Sequence, residues 1–449
     1  MALDPKVFKA YDVRGLYPSE LDEEGARAIG RAYVEQFEPK EIAVGRDMRL
    51  SSPTMHESFV RGAAEAGADV VDIGMVGTEM LYHAVGALGL DGGATITASH
   101  NPKDYTGAKI VRRGALPVGG DSGLLEIRDR ALSPQDTSGG QTPGRVGKRD
   151  VYPGFVDKVM SFIDPEAVKP LRVVIDGANG MAGSMLPPIL ERLPVDAVRH
   201  FFAPDGSFPD HEPNPLLEEN RRFIVGEVTK ENADLGIAFD GDADRCFFVD
   251  DTGEFVPGDF VTALLAESML EKEPGGTIIY DVRASWAVRD TVERLGGTAL
   301  PNRVGHAFIK QRMREIDAVF AGEVSGHYYF RDFYQADSGT IPALLVLELV
   351  SKRGRPLSEL LRPFRERYFL TGEINTAVAD VALALQKVKE HFAGQGEISH
   401  LDGISVTAED WHMNVRPSNT EPLLRLNLEA LDSALMERKR DEAVAVISG

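Results

Sequence analysis

The segment TASHNP (97–102) places a serine where it could do chemistry. Ser99 directly follows an apolar stretch and precedes a proline, so its hydroxyl is placed to face a cleft, and Lys109 lies ten residues further on. A serine hydroxyl is a weak nucleophile and needs a base, a metal or a group already attached to it. The hydrolase elbow G-x-S-x-G is absent from this segment. Ser99 is therefore either a nucleophile or a cap of the next helix, and spacing alone leaves both open.

Three carboxylates stand at alternate positions in the segment DGDADR (240–245). Asp240, Asp242 and Asp244 can converge on a hard cation, and oxygen ligands suit Mg²⁺ or Ca²⁺. The segment lacks the glycine and the glutamate that an EF-hand loop needs. Arg245 beside the acids indicates a bound phosphate rather than a cage made of protein ligands alone. The alternative, a solvated acidic turn, would leave three like charges unneutralised.

Two further loops carry groups that suit a sugar phosphate. In GEVSGH (322–327), Glu323, Ser325 and His327 alternate, so on an extended strand they would share one face and could bind vicinal hydroxyls. A lone histidine in such a strand is as often structural as functional. In RPSNTEP (416–422), an arginine fork and hydroxyl groups could form an anion nest, with an ordinary Asn-Thr turn as the alternative.

Together, a serine nucleophile, a cation loop, a hydroxyl-binding loop and a phosphate nest are the groups that phosphoryl transfer to or from a phosphorylated polyol requires. Further basic or aromatic residues are candidates for the same cleft, although each taken singly is more often a solvated side chain. They are Tyr11, Arg14, Arg46, Arg49, Arg283, His306, Lys310 and Arg425.

The elements that must position these loops alternate between β-rich runs and helical stretches, which predicts α/β domains with largely parallel sheets. The strand predictions are 41–47, 68–74, 93–101, 171–180, 233–245, 276–285 and 318–327. Residues 52–67, 152–163 and 341–350 are predicted to be helical. Ligands of such sheets bind beyond the carboxyl ends of the strands, which is where the polar loops lie.

The chain also contains a coarse internal repeat. Three times a strand is followed by a second strand, a polar loop and a hairpin, and the hairpins are 108–118, 246–256 and 328–336. After about residue 370 the pattern changes to a small mixed domain. We therefore predict three related α/β domains with mixed sheets and a smaller α+β domain, with boundaries at 1–148, 149–253, 254–368 and 369–449. A Pro-, Gly- and Ser-rich surface connection is predicted at 133–147.

Composition excludes several classes of protein. The 449 residues suggest about three domains. A net charge of −21 disfavours nucleic acids and anionic membranes as partners. The single cysteine, Cys246, excludes an intrachain disulfide scaffold. The amino-terminal segment does not resemble a signal peptide and no apolar run reaches 18 residues, so we expect a soluble cytoplasmic protein.

Seven motifs resemble the α-D-phosphohexomutase family, most closely its bacterial phosphomannomutase/phosphoglucomutase branch. They are FKAYDVRG, VGRDMRLSSP, TASHNP, DGDADR, GHAFIK, GEVSGH and RPSNTEP, in the order and at distances that fit the family. The resemblance implies four domains around a central cleft and an isomerase that moves phosphate reversibly between the 1- and 6-positions of a hexose phosphate. Phosphoserine and a hexose 1,6-bisphosphate intermediate, which also serves as activator, would carry the phosphate.

The resemblance also implies a role for each motif residue. One Mg²⁺ per subunit would bind Asp240, Asp242, Asp244 and an oxygen of phosphorylated Ser99. Catalysis would use Arg14 and Lys109 beside the phosphoserine, Lys109 as an acid/base candidate, Arg245 for transferring charge, and His100 and His306. Glu323 and Ser325 would bind sugar hydroxyls, and the remaining substrate-binding residues would be Tyr11, Arg283, His327, Arg416, Ser418, Asn419, Thr420 and Arg425.

Two departures and two alternatives accompany the resemblance. Arg283 stands where relatives often have a lysine, and VGTEMLY lacks a common Pro-Thr-Pro. One alternative is phosphoglucosamine mutase, which Thr97 and Val324 disfavour. The other is a degenerate sugar-phosphate-binding protein, which the intact serine and acidic loop disfavour. The expected substrates are phosphorylated mannose and glucose, and the expected role is carbohydrate metabolism that supplies precursors of nucleotide sugars. The chain is expected to be a monomer or homodimer.

Overall fold

The computed structural model describes residues 2–133, 142–418 and 423–449. Most of the predicted connection at 133–147 lies outside these residues. The chain divides into two units, Met1–Val256 with Ser325–Leu357, and Pro257–Val324 with Ser358–Gly449, which are described separately. Four 3₁₀ turns, at Pro5–Val7, Arg113–Ala115, Gly120–Ser122 and Pro165–Ala167, join longer elements. No helix in the described ranges is both long enough and apolar enough to span a membrane.

The first unit begins with a mixed sheet in the order β1-β5-β4-β2-β3-β7, with β6 paired to β5. Strand β2 runs parallel to β3 and β4, whereas β5 is antiparallel to β1 and β4. The elements are β1 (Val13–Leu16), α1 (Glu23–Phe37), β2 (Glu41–Arg46), α2 (Ser52–Glu65), β3 (Asp69–Met75), α3 (Thr78–Leu88), β4 (Gly92–Ile96), β5 (Tyr105–Arg112), β6 (Leu116–Pro117), α4 (Leu124–Leu132) and β7 (Val146–Lys148).

Local sequence explains how this sheet is covered. Asp22 caps α1 by accepting a hydrogen bond from the Gly25 N–H, and the helix buries Ile29 and Tyr33 one turn apart. Strand β4 is buried along its whole length, as expected of a strand with layers on both faces. It ends at Ile96, so Ser99 lies in the loop beyond its carboxyl end and not in the strand predicted for 93–101.

A second sheet of the same unit has the order β12-β11-β10-β8-β9. Strand β8 is parallel to β9 and β10, and β11 returns antiparallel to β10 and forms a hairpin with β12. The elements are α5 (Tyr152–Met160), β8 (Leu171–Asp176), α6 (Ala182–Met185), α7 (Pro187–Leu190), β9 (Val195–His200), α8 (Glu218–Lys230), β10 (Leu235–Phe239), β11 (Cys246–Asp250) and β12 (Phe255–Val256).

The third region is shared between the units. In the second unit, β13 lies between parallel neighbours β14 and β15. In the first unit, β16 and β17 form an antiparallel hairpin that leads into the buried helix α12. The elements are α9 (Gly258–Lys272), β13 (Thr277–Asp281), α10 (Trp286–Arg294), β14 (Thr298–Asn302), α11 (His306–Ile316), β15 (Phe320–Gly322), β16 (Tyr328–Phe330), β17 (Ala336–Asp337), α12 (Thr340–Arg353) and α13 (Leu357–Arg365).

The second unit ends in an antiparallel sheet of order β18-β22-β21-β20-β19, with two helices packed on a core that includes Val388, Phe392, Trp411 and Leu426. The elements are β18 (Phe369–Ala377), α14 (Val381–His391), β19 (Glu397–Ser399), β20 (Ile404–Thr407), β21 (Trp411–Pro417), β22 (Leu423–Ala430) and α15 (Ser433–Ser448). This is the small α+β domain predicted after residue 370.

The internal repeat is visible in the sheets. In each of the first three regions a central strand, β2, β8 or β13, has a parallel neighbour on both sides, which confirms three related α/β domains. The strand predicted for 318–327 is also too long. Residues 323–327 form a turn after β15 and not a strand, because Gly326 takes a φ of +84°, which extended backbone does not allow. The shared face predicted for Glu323, Ser325 and His327 therefore does not exist.

Candidate functional site

Ser99 lies in a strained loop that follows β4. Its φ of +51° is in the left-handed region, which non-glycine residues seldom occupy and which requires support from the surroundings. Its N–H donates to Thr97 Oγ1 at 2.9 Å. The acidic loop 240–245 lies very close to the Ser99 loop, since a Cβ on Gly241 would stand 2.5 Å from the Ser99 carbonyl oxygen. Glycine at 241 is thus what allows the two loops to meet.

The support for this loop comes from Arg49, which is completely buried. Its Nη2 donates to the carbonyl oxygens of Ser99 at 2.7 Å and Asn101 at 2.6 Å, and its Nη1 donates to that of Pro102 at 2.8 Å. Asp47 pairs with the guanidinium at 3.3 Å between Nε and Oδ2. The sequence analysis named Arg49 only as one of several scattered basic residues. No sequence motif indicates that a side chain will donate to three carbonyl oxygens of one loop.

The three aspartates of 240–245 converge beside Ser99. All three are buried, and one carboxylate oxygen of each lies within 4.8 Å of those of the others. Ser99 Oγ donates a hydrogen bond to Asp240 Oδ2 at 3.0 Å. Thr78, the threonine retained in the segment VGTEMLY, bonds the Asp242 carboxylate through its hydroxyl, and its N–H donates to the Asp242 carbonyl oxygen at 3.1 Å. The serine and acid loops predicted from strand ends therefore form one cluster.

Two cations neutralise these acids. Lys109 Nζ, on β5, donates to Asp242 Oδ2 at 2.7 Å and also contacts Asp244. Arg245 Nε donates to Asp240 Oδ2 at 2.9 Å. Burial raises the pKa of Asp240 to about 7, although the Arg245 guanidinium opposes this shift. Burial and Asp244 act to raise the pKa of Asp242, but the Lys109 ammonium outweighs them and holds it below its ordinary value.

The donor set fits a divalent cation. Three carboxylates at this separation are the oxygen ligands that Mg²⁺ and Ca²⁺ prefer. Asp242 Oδ1 is buried, and nothing in the described part of the chain donates a hydrogen bond to it. A buried carboxylate oxygen left in this state costs free energy that a bound cation would recover. Lys109 already places a positive charge on the same carboxylates, which shows that the position attracts cations.

The remaining candidates of the first unit surround this cluster. Arg14 pairs with Asp12 at 2.7 Å between Nη2 and Oδ2 and also contacts Asn101. His100 Nδ1 lies 3.3 Å from Ser99 Oγ. Burial, reinforced by the charge of Arg245, holds the pKa of His100 well below its ordinary value, so this imidazole is neutral. Tyr11 is half-buried in the loop before β1.

His327 and Ser325 also belong to the first unit. His327 Nε2 lies 3.8 Å from Asp244 Oδ1, and its Nδ1 lies 3.0 Å from Ser325 Oγ. His327, Asp244 and Asp337 form a second group whose ligand atoms lie within 4.8 Å of one another. The structure therefore brings the histidine of the GEVSGH turn to the acid loop, which the sequence analysis had placed only with sugar binding.

In the second unit, three arginines surround Glu373, and we call Arg283, Arg416 and Arg425 with this glutamate the arginine cluster. Arg425 Nη1 donates to Glu373 Oε1 at 2.6 Å, and Arg283 Nη1 donates to Oε2 at 3.4 Å. Arg416 Nη2 lies 3.7 Å from Oε2. Arg416 and Arg425 are paired in register on β21 and β22, and Glu373 comes from β18. Sequence reasoning missed Glu373.

Other candidates of the second unit lie in loops. Glu323 is buried, and its Oε1 accepts a hydrogen bond from the Gly305 N–H at 2.9 Å, next to His306 at the start of α11. Asp281 holds the Arg283 guanidinium through two bonds of 2.9 Å. Ser418 is half-buried just after β21. Asn419 and Thr420, the other members of the predicted phosphate nest, lie outside the described residues.

Comparisons with known proteins give matches to the same family over nearly the whole chain. Four family models match in order: the alpha/beta/alpha domains I, II and III of phosphoglucomutase/phosphomannomutase at residues 5–135, 153–253 and 257–368, and the C-terminal domain at 373–446. A phosphomannomutase of Escherichia coli strain K12 is 46% identical over 443 residues, covering 96% of each chain. Phosphohexose mutases of Xanthomonas campestris strain B100 are 43% identical, covering 98% of this chain and 99% of theirs.

A solved structure gives the same result. A phosphoglucomutase/phosphomannomutase family protein from Burkholderia thailandensis superposes with a TM-score of 0.91 at 32% identity, covering 99% of this chain and 97% of its own. The four matched domains, the relatives and the shared fold confirm the resemblance seen in the motifs. The chain belongs to the phosphoglucomutase/phosphomannomutase family and is an enzyme of the isomerase class that transfers phosphate within a hexose.

Proposed function

We propose that Ser99 carries the phosphate that this enzyme transfers. The observation that carries the proposal is the buried contact between Ser99 Oγ and Asp240 in a cluster of three carboxylates and two cationic side chains. In the forward step, the bond between Oγ and phosphorus breaks as a free hydroxyl oxygen of a hexose monophosphate bonds to that phosphorus. The product is a hexose 1,6-bisphosphate. After it has turned in the site, Ser99 takes the other phosphate back.

The proposal includes one Mg²⁺ per subunit, held by Asp240, Asp242, Asp244 and an oxygen of phosphorylated Ser99. When bound, the ion neutralises charge on the phosphate, which phosphoryl transfer requires more than it requires covalent chemistry. The protein supplies further positive charge. Arg245 Nη2 is buried and has no hydrogen-bond partner in the described part of the chain, so it can donate to a phosphate oxygen.

Protons must move with the phosphate. When the phosphate leaves, Ser99 Oγ has to gain a proton, and the attacking sugar hydroxyl has to lose one. Lys109 is the proposed proton carrier: burial lowers its pKa, but Asp242 and Asp244 outweigh burial and raise it, so Nζ holds a proton to donate. His100 is neutral and its Nδ1 lies 3.3 Å from Oγ, so the imidazole borders the serine without adding charge. Arg14 adds positive charge beside the loop.

Recognition is assigned to the second unit and to the GEVSGH turn. Arg416 Nε and Arg425 Nε are buried without hydrogen-bond partners among the described residues, so both can donate to a phosphate. We propose that these arginines, with Arg283, hold the phosphate that is not reacting. Ser418, Asn419 and Thr420 would complete that nest, and the sugar hydroxyls would meet Tyr11, His306, Glu323, Ser325 and His327.

The proposed substrates are the 1- and 6-phosphates of mannose and glucose. A coupled assay compares mannose 1-phosphate, glucose 1-phosphate and glucosamine 6-phosphate, each with catalytic hexose 1,6-bisphosphate and with Mg²⁺ or a chelator. We expect Mg²⁺-dependent turnover of the first two. Preference for glucosamine 6-phosphate would identify a phosphoglucosamine mutase, an unchanged rate in chelator would refute the metal assignment, and no turnover at all would favour the sugar-phosphate-binding alternative.

A further inference from the structure

The arginine cluster contains a carboxylate where a phosphate is expected. Two of the three arginines proposed to hold the substrate phosphate, Arg416 and Arg425, each place a guanidinium nitrogen near Glu373, at 3.7 Å and 2.6 Å. A carboxylate and a phosphate use the same N–H donors of an arginine fork. Glu373 therefore occupies donors that the substrate needs.

Charge counting shows which arginines Glu373 neutralises. Asp281 already holds Arg283 through two bonds of 2.9 Å, so this ion pair is complete without Glu373. Glu373 pairs with Arg416 at 3.7 Å, and the pKa of Arg416 is lowered by burial and by the charge of Arg283 while Glu373 and Asp402 oppose the shift. The three guanidinium groups with Glu373 and Asp281 sum to +1, and Asp402 and Glu323 add further negative charge nearby, so removing Glu373 raises the positive charge available to a phosphate by one unit.

Very tight binding of the non-reacting phosphate does not make a phosphohexomutase faster. The bisphosphate has to leave the phosphate nest, turn end for end and bind again before the second transfer. Binding energy that is the same in the ground state and in the transition state lowers KM without raising kcat. A grip that is too strong slows release, and release then limits turnover.

We propose that Glu373 is a positioning residue that acts as a built-in counter-ion, weakening the hold of Arg416 and Arg425 on the non-reacting phosphate so that the sugar can be released and turned. This inference rests on the proposed function. The competing explanation is that Glu373 only ties β18 to β21 and β22. The two explanations predict opposite signs: loss of a counter-ion tightens phosphate binding, whereas loss of a structural tie weakens it.

The test compares Glu373→Gln with Glu397→Gln in the full chain. Both remove one negative charge from the same domain, but Glu397 is exposed on β19. Titration calorimetry with inorganic phosphate at constant ionic strength should give a Kd about 3- to 10-fold lower for Glu373→Gln and unchanged for Glu397→Gln, as expected for a half-exposed ion pair. The gain in phosphate affinity should vanish in the double variant Glu373→Gln, Arg416→Ala. That loss would show that the measured phosphate binds at the arginine cluster.

Kinetics give a second readout. For mannose 1-phosphate, Glu373→Gln should lower KM and kcat together, whereas structural damage raises KM. Unchanged or weaker phosphate binding by Glu373→Gln, or tightening that Glu397→Gln shares, would overturn the proposal. If Glu373→Gln does not fold, Glu373→Ala replaces it with the same expectation. Failure of both neutral variants while Glu373→Asp folds would also overturn the proposal, because the charge would then be a structural requirement.

The outcomes separate this inference from the proposed function. If the wild-type chain shows no mutase turnover but Glu373→Gln binds phosphate more tightly, the proposed function fails and the counter-ion remains. If turnover is normal and the phosphate affinity of Glu373→Gln does not rise, the proposed function stands and the counter-ion is wrong.

Discussion

The cluster around Ser99 and the arginine cluster both bury charge, but with opposite requirements. Around Ser99, three aspartates and an unsatisfied oxygen of Asp242 favour a cation. In the arginine cluster, unsatisfied Nε groups of Arg416 and Arg425 favour an anion. We propose that the first holds the reacting groups and that the second holds a phosphate that does not react. Substitutions in the first should therefore remove chemistry, and substitutions in the second should weaken binding in both directions of the reaction.

The largest effect is expected for Ser99→Ala. Removing the hydroxyl removes the proposed phosphate carrier, so kcat should fall by about 10⁴-fold or more. The affinity for inorganic phosphate at the arginine cluster should not change. The measurements are the coupled assay and phosphate calorimetry on the same preparation. An active Ser99→Ala enzyme would remove the distinction between the two clusters.

Arg416→Ala should have the next largest effect. A charge-assisted hydrogen bond is worth roughly 1.5–3 kcal/mol, so we expect kcat/KM to fall by about 10- to 150-fold. The loss should be similar for the 1-phosphate and the 6-phosphate, because each orientation of the sugar presents its other phosphate to the same arginines. A defect in one direction only would contradict a shared phosphate site. Phosphorylation of Ser99 should still occur in this variant.

Arg49→Lys tests whether the strained loop matters for transfer. Lysine keeps the charge but lacks the fork that reaches the carbonyl oxygens of Ser99, Asn101 and Pro102. We expect kcat to fall by about 10-fold, the cost of roughly one hydrogen bond to a charged group, with KM nearly unchanged. A rise in KM without a fall in kcat would show that Arg49 serves binding and not the geometry of the serine.

The last effect is on folding stability and leaves turnover nearly unchanged, because it concerns a buried carboxylate that belongs to neither cluster. Asp259 accepts hydrogen bonds from the N–H groups of Phe260 and Ser285, and the charged group that acts on it most is the carboxylate of Glu429. Burial, reinforced by Glu429, raises the pKa of Asp259 to about 7. The folded state then binds more protons than the unfolded state between about pH 4 and pH 7, so the stabilising contribution is complete below this window and is lost as the pH rises through it.

Asp259→Asn removes this titration while keeping the size of the side chain. Over pH 4–7 the wild-type free energy of unfolding should fall relative to that of the variant by up to about 1.4 kcal/mol per pH unit. Urea unfolding at several pH values measures the difference. Parallel pH profiles would show that Asp259 is ionised in the folded protein, as the cation-paired Asp242 is.

The sequence predicted the cluster around Ser99 better than the arginine cluster for a physical reason. Ser99 and Asp240 follow equivalent strands of two α/β repeats, and the carboxyl ends of parallel strands are where ligand loops collect. Arg416 was predicted from a motif, but Glu373 meets it only through the pairing of β18 with β22 and β22 with β21. No local pattern encodes that pairing.

Local backbone geometry and backbone contacts explain where else the structure differs from the sequence predictions. The alternation in GEVSGH predicts a strand, but Gly326 at φ +84° turns the chain. Arg49 has no sequence signature because its partners are backbone carbonyls, which every residue has. The division into three repeats and a distinct last domain was predictable because it depends on the order of apolar runs, which the sequence shows directly.

The most direct test of the central claim is the mass of the protein after reaction with glucose 1,6-bisphosphate. Intact-mass analysis should show one added phosphate, about 80 Da, and fragmentation should place it on Ser99. Excess mannose 1-phosphate should remove it, and Ser99→Ala should gain no mass. A phosphate on any other residue, or the same gain of mass in Ser99→Ala, would contradict the account.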